Sequence, residues 1–414
     1  MRLPRGWSFF FMAMFVTAVI LGAGPSAHAS VWDVTREWTP EAEDQYSEWV
    51  KINWNRDYFT KPGPLKGLVM DCADAVYSMR ILYASSTGLP FVMQDPTNSH
   101  RTISQAIKRF DKVPQPQRLR KFLQFIYNLA MTKTLPNDTY PVSVSRSTIR
   151  SGALLKTDEQ THHSWTIKEI SPAGIPFLLF ASRPAASRLH VRNEFPSIEF
   201  TFPNGIKPET DAGFRAFRMP KDIGKPVYEV TGYSLDQYKI PAKIWRAKMQ
   251  KMLSLVDERP EEKVERILVD LCRGAVEHID DIGIAREPLA KLGPNECFSQ
   301  ETYDDLSTPS RDSRLKNSAV ELEIAINEAK AAGSVLKPAL QAKIDMLMRG
   351  EQSAGAGSKS YCALHIAPGF NLTLGQLYDR LLKGKFSSNP HDPLEVRWGS
   401  VPGPSAKAKS CPEY

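Results

Sequence analysis

Cysteine is scarce in this 414-residue chain, with five in all, and after the first thirty residues no apolar run reaches the roughly 18 residues a spanning helix needs. The first shortage excludes a small disulfide-stapled scaffold, and the second a chain that crosses a membrane repeatedly. Glycine-rich phosphate loops of the Gly-x-Gly-x-x-Gly or Gly-x-x-x-x-Gly-Lys-Ser/Thr kind are missing, which disfavours nucleotide use. His162, His163, His190, His278, His365 and His391 fall in no His-Glu-x-x-His pattern and there is no Cys-x-x-Cys, so neither a metal nor another cofactor is expected. Charge of one sign is not concentrated either: 53 Lys plus Arg against 46 Asp plus Glu leaves +7, with no basic block interleaved with aromatics, and nucleic acid is not an expected partner. What is present is apolar residue enough, 42%, to bury a full core in one to three domains.

The first thirty residues have the layout of a secretory signal. Arg2 and Arg5 precede an uncharged apolar run from Phe9 to Leu21, and Ala27-His28-Ala29 puts small residues where a signal peptidase reads, which predicts cleavage before Ser30. The run gives way to Gly22-Ala23-Gly24-Pro25 and is too short for a retained anchor. No Cys lies near the cleavage point, so no lipoprotein anchor is expected, and the mature chain should be soluble in the periplasm or outside the cell. In such an oxidising compartment Cys272, Cys297, Cys362 and Cys411 make two disulfides, with all three pairings open, and the odd cysteine is Cys72, 200 residues upstream of the next.

Along the chain the hydrophobic period changes from helical to extended and back. Glu41 to Arg56 reads as an amphipathic helix begun at Thr39-Pro40, and Trp32, Trp38, Trp49 and Trp54 around it read as packing residues rather than a carbohydrate platform. Cys72, Ala75, Val76, Met79, Leu82 and Tyr83 recur at three and four, predicting a helix that stops at Gly88-Leu89-Pro90, and a helical pair is expected around Val113-Pro114-Gln115-Pro116. From about residue 141 the period is two. Val142 and Val144, Trp165 and Ile167, Phe177 to Phe180, and Ile198, Phe200 and Phe202 predict strands of an antiparallel sheet. Four helices follow, over Ile244 to Val256, Glu261 to Ile279, Leu315 to Gly333 and Leu336 to Met348, and Ser353 to Ser358 is a flexible linker. The expected organisation is α+β: a helix-on-antiparallel-sheet domain over 30–206, a connecting region over 207–240, and a mainly helical, disulfide-bonded domain over 241–414.

Chemistry is most concentrated at Cys72. It falls in the first turn of its helix, where unpaired N–H groups and the dipole favour a thiolate and the Cys72 N–H can serve an oxyanion, while Asp71 and Asp74 oppose ionisation and call for a basic partner. His162-His163-Ser164-Trp165-Thr166-Ile167 supplies one on a strand. Alternation sets His163, Trp165 and Ile167 on one face and His162, Ser164 and Thr166 on the other, and His163, beside an apolar Trp, is taken as the inward base. Ser182 and Glu169 are the candidates to orient it. Ser307 to Asp312 and Asn389 to Pro393 read as cap or loop motifs without a site.

Asp71-Cys72-Ala73-Asp74 opening a helix, Gly152-Ala153-Leu154-Leu155, then His163-Ser164-Trp165-Thr166-Ile167 and a strand ending Phe180-Ala181-Ser182 resembles the NlpC-type papain-like cysteine peptidases, and comparably the transglutaminase-like papain folds. The resemblance covers roughly residues 60 to 185 and departs where Ala153 replaces the acid of the Gly-Asp-Leu element. It implies a papain-like core, and by position it makes Cys72 the nucleophile, His163 the base and Ser182 the third residue. It also implies an exported cysteine amidase, peptidase or acyl transferase acting on amides of cell-wall stem peptides or envelope proteins. The alternative is a non-catalytic envelope binding or scaffold protein in which the papain-like core is degenerate and Cys72 is merely buried.

Overall fold

The computed structural model describes residues 30–157, 163–182, 185–195, 212–353, 361–403 and 410–414. The expected signal peptide, His162, the expected strand residues Ile198, Phe200 and Phe202, and all but the first residue of the expected linker lie outside them.

Thr39 and Pro40 start helix α1 (Pro40–Asn53) as a cap and first-turn proline should, the Thr39 hydroxyl accepting from Ala42 N at 3.2 Å. Helix α2 (Cys72–Thr87) begins at a capping box: Asp71 Oδ1 accepts from Ala73 N and Asp74 N, and Asp74 Oδ2 accepts from Asp71 N at 2.9 Å. Gly88 ends it at φ 68, and there a Cβ would fall 2.2 Å from Thr35 Oγ1. A short hairpin follows, β1 (Val92–Gln94) with β2 (Thr102–Ser104). The expected helical pair around Pro114 is one helix, α3 (Gln115–Tyr127), because the residues ahead of Pro114 make only a single 3-10 turn; α4 (Leu135–Asp138) leads into the sheet.

Among the described residues that sheet has six strands, β3 (Thr139–Pro141), β4 (Leu154–Lys156), β5 (Ser164–Ile170), β6 (Pro176–Phe180), β7 (His190–Arg192) and β8 (Gly213–Phe217), in the antiparallel order β3-β8-β4-β5-β6-β7. Residues directly opposite one another share a face. The row Leu154, Thr166, Leu179, Val191 faces α1, α2 and α3, where Leu154, Leu179 and Val191 join a core with Trp54, Tyr77, Ile81 and Phe122. The neighbouring residues Leu155, Trp165, Leu178 and Phe180 face the other way and pack with Trp245, Met249 and Leu253 of α5 (Ala242–Leu253). Trp32 and Trp54 are buried and Trp38 and Trp49 pack on the first core, as packing tryptophans should.

Two boundaries differ from the expectation. The presumed connection 207–240 contains β8, an inner strand of the sheet, and α5 belongs to the sheet's core rather than to the helical region. The glycines and prolines that made this stretch look like a link flank a strand of only five residues, too short to show its alternation. The helical region therefore starts at α6 (Pro260–Lys291). It continues through α7 (Gln300–Leu306), α8 (Pro309–Ala331) and α9 (Pro338–Met348), a two-stranded ribbon of β9 (Ala363–Ala367) and β10 (Phe370–Thr373), then α10 (Leu374–Leu382) and α11 (Leu394–Arg397). Its own core is built from Leu268, Leu271, Leu322, Leu377 and Trp398 among others. Disulfides Cys272–Cys362 and Cys297–Cys411 close the choice among three pairings and fit an exported chain. No described helix is long and apolar enough to cross a membrane. The architecture is α+β, with helices on both faces of an antiparallel sheet.

Candidate functional site

Cys72 is the first residue of α2, and it is the one cysteine outside a disulfide. Its Sγ lies 2.9 Å from Thr132 Oγ1 and also accepts from Ala73 N–H. Those two contacts favour a thiolate, but burial and then the Asp71 carboxylate outweigh them and push the thiol above its ordinary value. The capping box explains the outcome. Asp71 shares the Ala73 N–H with Sγ and takes that of Asp74, which leaves burial and its own charge dominant, so the resting side chain is a neutral thiol. One turn further, Tyr77 Oη donates to Asp138 Oδ2 at 2.5 Å while Asp138 Oδ1 accepts from Gln94 N at 2.7 Å. Burial raises the Asp138 carboxyl to about 7 in spite of these bonds.

His163 stands elsewhere. Its ring meets Trp165 edge-on at 4.5 Å and Phe180 at 5.3 Å, both on the face turned away from α2. The parity argument grouped His163 with Trp165 and Ile167 as the structure does, but the side that carries α2 is the one with Ser164 and Thr166. Cys72 and His163 are thus on opposite faces of the sheet, and the expected pair is not brought together. Ser182 is near His163 instead, in a cavity of about 440 Å³ between β5–β7 and helices α6 and α8. It accepts from Arg311 Nη2 at 2.9 Å and makes no hydrogen bond to the imidazole. Glu169 drops out for a different reason: a bulge between Ile167 and Glu169 resets the alternation, pairs Glu169 with Phe177 and leaves it exposed.

The cavity gathers residues that the sequence reading passed over. His190 sits between two carboxylates of α6 one turn apart, Nδ1 3.4 Å from Glu277 Oε2 and Nε2 3.5 Å from Asp281 Oδ1. Arg311 Nε reaches Asp281 Oδ2 at 3.0 Å, and Arg314 Nη2 donates to Val191 O at 3.2 Å. Arg192 enters from β7. Burial, followed by the positive charges of Arg192, His190, Arg311 and Arg314, lowers the His163 imidazole to about 3, so it is neutral at physiological pH. A partial signal was present: Glu277 and Asp281 at i,i+4 fall among the buried residues of α6, and Arg311 and Arg314 at i,i+3 lie in the first turns of α8, just ahead of its apolar stripe.

The remaining motifs are structural. Thr308 and Pro309 start α8, and Asp312 ties that start together by accepting from Thr308 Oγ1 at 2.9 Å and Ser388 Oγ at 2.5 Å while lying 2.7 Å from His278 Nε2. His391, in the Asn389–Pro393 loop, accepts from Phe298 N through Nε2 at 3.3 Å. Among the described residues no group of three His, Cys, Asp or Glu side chains is arranged to hold a metal. Comparison with protein-family models, with curated proteins and with solved structures finds no match to this chain.

Proposed function

We propose that this chain is an exported thiol amidase or acyl transferase in which Cys72 is the nucleophile, acting on amides of envelope peptides, cell-wall stem peptides first among them. The supporting observation is the position of Cys72: the one cysteine of five outside a disulfide, on the first residue of the helix that packs on an antiparallel sheet. In the reaction Sγ attacks the amide carbon as the thiol proton passes to a base. The C–N bond then breaks, the amine leaves with a proton, and water or an acceptor amine releases the acyl group from sulfur. A neutral resting thiol makes the base indispensable, and His163, on the opposite face, does not fill that role in this reading. His162 shares sequence parity with Ser164 and Thr166 and lies outside the described residues; it is the variant to set beside His163.

The experiment is hydrolysis of a panel of stem tetra- and pentapeptides followed by mass spectrometry, with Cys72→Ser, His162→Ala and His163→Ala compared at equal melting temperature. Turnover lost in the first two and kept within about tenfold in the third is the expected result. Turnover surviving Cys72→Ser sinks the reading. The raised thiol favours one second reading, a binding protein with an inert buried cysteine; iodoacetamide labelling of Cys72 that is slow and indifferent to both histidine changes selects it.

A further inference from the structure

The cavity on the back face of the sheet is lined by buried hydrogen-bond donors. Arg192 is 8% exposed, and its Nε makes no hydrogen bond among the described residues, only a 3.2 Å ion pair to Glu194 Oε1. The Trp165 indole N–H is buried without a partner, and the His163 ring makes no hydrogen bond among the described residues. The acids that face inward are ion-paired, although Glu277 Oε2 makes no hydrogen bond. Glu277 Oε1 accepts from Val191 N at 2.9 Å, its Oε2 stands 3.4 Å from His190 and 4.0 Å from Arg314, and Asp281 lies between Arg311 and His190. Leaving a buried donor unpaired costs roughly 1–3 kcal/mol per group, more if it is charged, so the cavity is built at a loss unless something supplies acceptors. About 440 Å³ is within the usual range of small-molecule sites.

We propose that this cavity is a second ligand site, separate from Cys72, which takes a small monocarboxylate carrying a planar apolar group. The carboxylate meets the guanidinium groups of Arg192 and Arg314, and the planar group lies against Trp165 and Phe180. Three arginines in the wall are opposed by Glu277, Asp281 and Asp304, so the balance accommodates one added negative charge better than two. The depression of His163 reports the same field, since every charge acting on it after burial is positive.

The test is calorimetric titration of the whole protein with phenylacetate, phenylacetamide and phenyl phosphate. Phenylacetate should bind at least tenfold more tightly than its neutral amide isostere and more tightly than phenyl phosphate. Arg314→Gln should weaken it tenfold or more, and Trp165→Phe, which keeps the ring and removes the N–H, about threefold or more. Melting temperatures check that Arg314→Gln still folds, and Trp165→Phe stands as an independent readout if it does not. Equal affinity for acid and amide, tighter binding of phenyl phosphate, wild-type affinity in both variants, or no binding of phenylacetate overturns the assignment.

Discussion

The two faces of the six-stranded sheet use the same strands and treat polar groups in opposite ways. On the α2 face most buried polar side chains are satisfied within the core, Ser164 Oγ and Tyr46 Oη excepted: Trp54 Nε1 donates to Thr166 Oγ1 at 2.9 Å, Thr166 Oγ1 donates to Leu179 O at 2.7 Å, and Arg215 Nε donates to Thr139 Oγ1 at 2.8 Å. On the other face, Arg192 and Trp165 leave donors open around a cavity. A satisfied network fixes a core, whereas an unsatisfied one around a void awaits a ligand. The comparison also separates the Cys72 thiol from the charged cluster, so a change that acts on one face should leave the other alone.

The largest test of that separation is chemical. Cys72→Ser should lower thiol-dependent turnover by on the order of 10³-fold or more, with phenylacetate affinity unchanged, while Arg314→Gln should do the reverse. Parallel loss of both properties in either variant, measured by peptide hydrolysis and calorimetry, would merge the two faces into one site. Next in size is the covalent tie on the cavity side. Cys272 of α6 is joined to Cys362 across 90 residues, and breaking a loop of that length costs about 4–5 kcal/mol in the chain-entropy account. Cys272→Ser with Cys362→Ser should lower the urea midpoint of the helical region and weaken phenylacetate binding, with Cys72 alkylation unaffected.

How much of this was legible in the sequence depends on which signal each element leaves. Helix α2 was read within a residue because its stripe, its capping residues and Gly88 agree; Ser307 to Asp312 does start α8, but Ser307, Ser310 and Arg311 also line the cavity, which the cap-or-loop reading left out. Strand β8 was missed because five residues between Gly and Pro carry no clear alternation, and β9 and β10 because they are as short. At the site, parity correctly grouped His163 with Trp165, but parity cannot say which face a helix 80 residues upstream will cover; only the tertiary packing of Leu154, Leu179 and Val191 decides that. The bulge that displaced Glu169 was likewise invisible, since Lys168 has no residue type that announces it. Arg192, Glu277 and Arg314 come from three elements far apart in the chain, so no motif spacing could assemble them.

A smaller effect belongs to the α2 face. Burial raises Asp138 to about 7, well above its unfolded value of 3.8. A raised carboxyl contributes stability that is fully present below about pH 4 and lost as pH rises toward 7, so this face favours acid. Asp138→Asn should flatten the slope between pH 4 and 7. Tyr77→Phe removes a bond that holds the carboxyl down, so it should steepen the slope and cost about 1–3 kcal/mol, read from urea midpoints across that range. An unchanged slope in both variants would mean that Asp138 titrates normally.

The cavity face should show the opposite sign. Burial and the surrounding positive charges lower His163 to about 3 from its ordinary value of 6.5, so the folded state binds its proton far more weakly than the unfolded chain does. Stability from the neutral imidazole is complete well above pH 6.5 and drains away as pH drops toward 3, the loss amounting to about 1.4 kcal/mol one unit below the unfolded pKa. His163→Gln, which cannot take the proton, should be more stable than wild type at pH 5.5 relative to their difference at pH 8. A carboxylate in the cavity offsets the arginine field, so phenylacetate at saturation should raise the His163 pKa and shrink this difference; His163 chemical shifts followed by NMR from pH 7 to 3 give the direct reading. An imidazole that titrates near 6.5 in the free protein would remove the positive field, and with it the contrast between a closed face and an open one.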